Sequence, residues 1–343
     1  MSNYLYGSCC RIADFPDQEF TVEPIEFPRW DTGDYVIGKV STRPAPQARI
    51  EAPSGRTIEP LEGEYIVGAL GTRQATRGIV GDWRDIDPQN PRMNVIGGGG
   101  VIGKVTSISP TLYSSTQLSY EGHVHVDNQK SNMSDFAIQT PASNELSKPV
   151  ILVLGTSMSS GKTMSARVIT RLLVEMGYSP LACKLSGSGR YHDVLSMGDA
   201  GAEEIYDFVD AGLPTTVVPE SEFRSPIRSL LSHIDSHQGH PLVVEIGASP
   251  LEPYNGAVAI EEVQPNVEFS LITASDPYSV VGLRSAFEME IDLVTGIATN
   301  TSAGIELVEE LSGLPALRIP SPNSVKCYPL HLTNDVCKLR RAS

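Results

Sequence analysis

Residues 150–176 hold three kinds of sequence in a row: the apolar run "VILVL", the loop "GTSMSSGKT", and "MSARVITRLLVEM" with apolar residues at helical spacing. An uninterrupted apolar run this short reads as a strand buried on both faces, and the segment after the loop reads as an amphipathic helix. A buried strand feeding a helix through a loop of small residues constrains the fold to an α/β sheet of mostly parallel strands, covered by helices on both faces. The loop ends in Gly161, Lys162 and Thr163, with five residues rather than the commoner four between Gly155 and Gly161. Small residues let backbone N–H groups wrap phosphate oxygens, and a helix N-terminus turns its partial positive charge on them. Lys162 adds a full charge and Thr163 a hydroxyl suited to Mg²⁺. The phosphate-contacting set is therefore Gly155, Thr156, Ser159, Ser160, Gly161, Lys162, Thr163 and Met164.

The alternation of short apolar runs with helical segments continues from Val150 onward. Strands are predicted at 150–154, 180–185, 215–218, 241–246, 269–274, 293–299 and 316–319, and helices at 163–176, 202–211, 226–237, 280–287 and 302–312. Residues 1–126 read differently, as a small β-rich domain of short runs broken by Gly and Pro. "GDYVIGKV" (33–40), "GEYIVGAL" (63–70) and "GGVIGKV" (99–105) repeat one pattern, with a glycine inside each strand. Mid-strand glycines mark bulges or tight bends, so a curled, mostly antiparallel, barrel-like sheet is expected. The four glycines 97–100 lead into a strand and not a helix, which reads as a flexible hairpin turn. The polar segment 127–149 reads as a linker, leaving 150–343 for the phosphate-loop domain and a C-terminal tail.

A formal charge of -15 over 343 residues argues against a general nucleic-acid surface or an anionic membrane surface, since those need clustered Lys and Arg. No apolar run reaches a membrane span and the N-terminus lacks a secretory pattern, so a cytoplasmic protein is expected. The five cysteines form no CxxC pair and read as free thiols, Cys327 and Cys337 included. His233, His237 and His240 read as helix-end residues and not as metal ligands.

"PLACKLSG" then places Lys184 at the end of the strand after the loop's helix, "PLVVEIGAS" ends an apolar strand in Glu245, and "LVTGIATN" ends in Asn300. A carboxylate at the end of an apolar strand is costly to bury unless it meets a cation, and Mg²⁺ on Thr163 would supply one. With its loop one residue longer than usual, this set resembles dethiobiotin synthetase and its relatives, including cobyrinic acid a,c-diamide synthase. The resemblance spans about 180 residues from Val150 and implies ATP and Mg²⁺ as cofactors, Lys184 and Glu245 at the catalytic edge, and Asn300 on adenine. It also implies a site that relatives often build across a homodimer. This chain departs from the family at Ser157, where an Asp is usual, and at Ile246, where a Gly is usual. The segment "LSGSGRYHDVLSMGDAGAEEIYDFVDAG" resembles a second phosphate-loop family that includes a D-glutamate N-acetyltransferase, in the Gly-rich turn and in Asp207, Phe208, Ala211 and Gly212.

These readings lead to ATP- and Mg²⁺-dependent phosphoryl transfer to a small anionic substrate. Lys162, Lys184, Glu245 and Arg190 are its catalytic set, Thr163 and Glu245 its metal ligands, and Arg190 the partner of the substrate's charge. The alternatives are acyl transfer from coenzyme A held by the same loop, and a regulatory ATPase without a small-molecule acceptor.

Overall fold

The computed structural model describes residues 4–42, 49–112, 115–141 and 146–319. They form two compact units. One runs to Gln139 and is joined by two later segments, Ser188–His192 and Phe208–Pro226; the other comprises Thr140–Gly187, Asp193–Asp207 and the described residues from Ile227 on. The segment read as a linker carries a strand at Gln129–Lys130 and a 3-10 turn at Met133–Phe136, with Asn132 and Asp135 forming a reciprocal cap.

In the N-terminal unit five strands close into a ring. Tyr65–Leu70 pairs with Tyr35–Val40, that strand with Gln117–Val126, then Arg92–Gly97, then Val101–Ile108, which returns to Tyr65–Leu70. The closing pair is parallel and the other four are antiparallel. The repeated glycines explain how so small a ring closes. Val36, Gly38 and Val40 alternate with outward residues and share one face, and Val36 and Val40 enter the core with Leu118 and Met93. A Cβ at Gly38 would lie 2.8 Å from Leu118 and 3.1 Å from Met93, so this glycine makes room inside the ring. Register shifts fall between Val101 and Ile102 inside the third repeat, between Tyr120 and Gly122 opposite Gly38 and Ile37, and between Val105 and Ser107.

The turn at 97–100 joins an antiparallel pair, as a hairpin should. Its second half is a packing joint and not a flexible tip, because Gly7 and Gly68 approach the backbone of Gly99 and Gly100, and Gly189 that of Gly99, too closely for a side chain between them.

The second unit is an α/β unit on a six-stranded, wholly parallel sheet. In chain order its strands are β1 (Val150–Gly155), β2 (Leu181–Ser186), β3 (Glu204–Asp207), β4 (Leu242–Ile246), β5 (Val267–Ala274) and β6 (Leu293–Gly296). They lie side by side as β3-β2-β4-β1-β5-β6. The helices are α1 (Lys162–Glu175), α2 (His192–Gly198), α3 (Glu220–Ser236), α4 (Gly256–Val263), α5 (Pro277–Ala286) and α6 (Ser302–Ser312). The crossover from β1 to β2 runs toward one edge and that from β4 to β5 toward the other, so right-handed connections put α1 and α4 on opposite faces.

Three predicted elements differ, the first being 316–319, read as a strand, where Ala316 makes only an isolated bridge to Val294. Residues 202–211, read as a helix, contain the edge strand β3, because pairing with β2 overrides a helical spacing of apolar residues. Residues 215–218 form no strand, and Thr215 makes only an isolated bridge to Ser188. Helix α3 begins at Glu220, so Pro226 lies inside it and not at its start.

Candidate functional site

The loop between β1 and α1 is shaped by backbone demands that its sequence meets. A Cβ at Gly155 would lie 2.5 Å from the Ser160 hydroxyl and 2.9 Å from the Lys162 stem, so the loop folds back over a position that only glycine can fill. Gly161 caps α1 with φ +115°, and Ser159 sits at φ +63°, a left-handed conformation that costs a non-glycine residue energy. The turn is pinned to β5: the Thr156 N–H donates to the Thr273 carbonyl at 3.0 Å, and the Ser160 and Thr273 hydroxyls meet at 2.7 Å. The Ser275 N–H donates to the Thr156 hydroxyl at 3.2 Å. Thr273 and Ser275 escaped the sequence reading because nothing marks a hydroxyl inside an apolar strand as a loop support.

Parallel pairing then sets the charged groups in a row. Asp207 of β3, Lys184 of β2 and Glu245 of β4 are register partners across three adjacent strands, with Val153 of β1 next to Glu245. All three charged residues are buried. Lys184 Nζ meets Asp193 of α2 at 2.5 Å. Burial alone would lower the Lys184 pKa, yet Asp193, Glu245 and Asp207 hold it above its ordinary value. Burial lowers the Lys162 pKa, and its ammonium donates to the Ser157 carbonyl within its own loop at 2.7 Å.

Glu245 is the pivot of this arrangement. One carboxylate oxygen accepts from the Thr163 hydroxyl at 3.3 Å, while the other is buried and has no hydrogen-bond partner. Burial pushes the carboxyl pKa up and Asp193 adds to the shift, against the pull of Lys184 and Lys162. A buried carboxylate oxygen without a partner, beside a hydroxyl at a helix N-terminus, has the chemistry of a site for a hard cation. No cluster of three or more His, Cys, Asp or Glu among the described residues suits a metal. Mg²⁺ here would therefore take its remaining oxygens from phosphate and water, as it commonly does.

Lys162, Thr163, Lys184 and Glu245 thus share one edge of the parallel sheet. Met164 is exposed, and the Ser157 hydroxyl turns to the neighbouring Met158 carbonyl. Asn300 is exposed just after β6, following the 3-10 turn Ile297–Thr299. The end of β6 lies against the loop, since a Cβ at Gly296 would sit 2.5 Å from the Ser160 carbonyl. Arg190 belongs instead to the N-terminal unit, where it lines a cavity with Arg49 and Arg73, two residues the sequence did not single out. Cys9, Cys10 and Cys183 are buried free thiols, and Cys327 and Cys337 lie outside the described residues. No helix among the described residues is long and apolar enough to cross a membrane.

No protein-family model matches the sequence, and no curated protein sequence matches it. Among solved structures the chain is similar to the signal recognition particle receptor FtsY from Elizabethkingia anophelis, at 13% identity over 59% of this chain and 70% of that one, with a TM-score of 0.37. It is also similar to a ParA family ATPase from Chlorobium tepidum, at 19% identity over 57% of this chain and 95% of that one, with a TM-score of 0.32. A third likeness is to the MinC:MinD cell division complex of Aquifex aeolicus, at 13% identity, 55% and 84% coverage and a TM-score of 0.33. The sheet's strand, loop and helix arrangement is read from the chain's own residues.

Proposed function

We propose that the parallel-sheet unit binds ATP with Mg²⁺ and transfers a phosphoryl group to a small anionic acceptor, in the manner of the dethiobiotin synthetase type. The observation that carries this reading is the buried Glu245 carboxylate, 3.3 Å from the Thr163 hydroxyl and with one oxygen lacking a partner. Thr163 and Glu245 would hold the metal, which when bound offsets phosphate charge. Lys162 would leave the Ser157 carbonyl for the terminal phosphates. Lys184, held charged by its acidic neighbours, would steady negative charge developing on the transferred group. Asn300, after the 3-10 turn that follows β6, would offer an amide that both donates to and accepts from adenine.

The test is a titration of the purified chain with ATP and GTP in Mg²⁺, beside Lys162→Ala, followed by turnover assays with small carboxylates as acceptors. Lys162→Ala should weaken ATP binding roughly 10- to 150-fold, the range for losing a hydrogen bond to a charged group. ATP binding unchanged in that variant sinks the reading, and tight binding with turnover that no acceptor stimulates reduces it to a plain ATPase.

A further inference from the structure

The N-terminal unit encloses a cavity of about 560 Å³, within the range that holds metabolite-sized ligands. Arg49, Arg73, Arg190 and His192 line it, and among the described residues Glu51 is the one carboxylate in its wall. That carboxylate is already engaged. It is buried and accepts from the Ser8 hydroxyl at 2.6 Å, the Tyr191 N–H at 2.6 Å and the His192 N–H at 2.8 Å. Glu51 therefore fixes the backbone that carries Arg190 and His192, and three guanidinium groups still outnumber its single charge. Arg190 is exposed and has no ion-pair or hydrogen-bond partner among the described residues. Arg49 pairs only with the exposed Glu59, a contact that a ligand could replace at small cost. Arg73 is anchored by donating to the Ile96 carbonyl at 2.5 Å, which holds its guanidinium at the wall.

Three guanidinium groups gathered around one cavity, in a chain of net charge -15, form a local field opposite in sign to the rest of the molecule. Guanidinium forks match carboxylate and phosphate oxygens in pairs. We propose that the N-terminal unit carries a binding site of its own for a small molecule with two or more negative charges, a polycarboxylate or a phosphate ester, held by Arg49, Arg73 and Arg190. The site lies wholly within this unit and is independent of nucleotide at the phosphate loop.

Binding is measured by calorimetry on the full chain in metal-free buffer without nucleotide, using citrate and glucose 6-phosphate as probes and glucose as the uncharged control. One of the two anions should bind and glucose should not, and which anion binds tells carboxylate from phosphate. The Arg49→Gln/Arg190→Gln double variant changes two exposed side chains, so the fold should be kept. It should weaken binding about 10- to 100-fold, the loss of one or more charge-assisted hydrogen bonds. No binding of either anion at millimolar concentration overturns the proposal. Binding that the double variant leaves unchanged also overturns it, because the anion would then sit elsewhere.

Discussion

Thr163 at the start of α1 and Glu245 at the end of β4 meet at 3.3 Å, although 82 residues separate them in the chain. The contact exists because β4 lies directly beside β1, so a carboxylate one strand away reaches the first turn of the helix that β1 feeds. Under the proposed function, Mg²⁺ at this contact has a single protein carboxylate behind it. Glu245→Gln should keep the fold, since the amide fits the same space and no buried charge is left alone. It should remove most of the Mg²⁺ dependence of ATP binding. Titration with and without EDTA checks this: the wild type should weaken on chelation and the variant should not.

Lys184 and Asp193 make a second pair whose removal is asymmetric. Taking away the lysine leaves the buried Asp207 and Glu245 and the part-buried Asp193 without their common cation, and breaking a buried pair costs about 3–5 kcal/mol. Lys184→Ala should therefore lower the stability of the parallel-sheet unit by that order. Lys184→Ala/Asp193→Asn should recover part of the loss, because one orphaned charge is then gone. Urea denaturation followed by circular dichroism, run as a double-mutant cycle, measures the coupling, and simple additivity would refute it.

The phosphate loop and its helix were legible because their demands are local: an apolar run, small loop residues and an amphipathic helix are all contiguous. Lys184 and Glu245 could be placed toward one edge because a parallel sheet aligns its strand ends there, whereas Asn300 lies beyond the 3-10 turn that follows β6. Residues that act across the chain could not be seen this way. Arg49 and Arg73 share a cavity with Arg190 only because 188–192 folds with the N-terminal unit. β3 was hidden because "EIYD" has no pattern of its own and is a strand only through its pairing with β2. Ring closure was foreshadowed by the glycine repeat, but its parallel seam between Tyr65–Leu70 and Val101–Ile108 depends on tertiary contact alone.

Gly38 gives a direct test of the ring. The wall there is Leu118 and Met93, so Gly38→Ala puts a methyl group 2.8 Å from a packed carbon. Overpacking of this kind costs about 1–3 kcal/mol. The same change at Gly63, where nothing lies within 4 Å, avoids the clash, but its φ of +88° carries a backbone cost of its own. The comparison therefore pairs Gly38→Ala with Gly98→Ala, which has open space and no positive φ. Denaturation should show a clear loss for the first and little for the second.

Both tryptophans of the chain, Trp30 and Trp83, lie in the N-terminal unit, so intrinsic fluorescence reports that unit alone. Its buried charge network should make it acid-sensitive. His123 is fully buried, accepts or donates to the Tyr120 hydroxyl at 2.5 Å, and faces Asp34 at 3.4 Å. Burial holds the His123 pKa below its ordinary 6.5 despite the pull of Asp34. Asp34 is held below 3.8: burial opposes this, but the neighbouring His123 and hydrogen bonds from Lys130 and Asn132 outweigh it. A depressed folded pKa means that the unfolded chain binds the proton more readily, so each group contributes stability above its unfolded pKa and loses it as pH falls. The histidine contribution should decline first, from pH 6.5 downward, and the aspartate contribution below 3.8. Urea midpoints read by tryptophan fluorescence should therefore drop between pH 7 and pH 5, and His123→Gln should flatten that part of the curve while leaving the steeper loss at lower pH, where Asp34 takes up its proton.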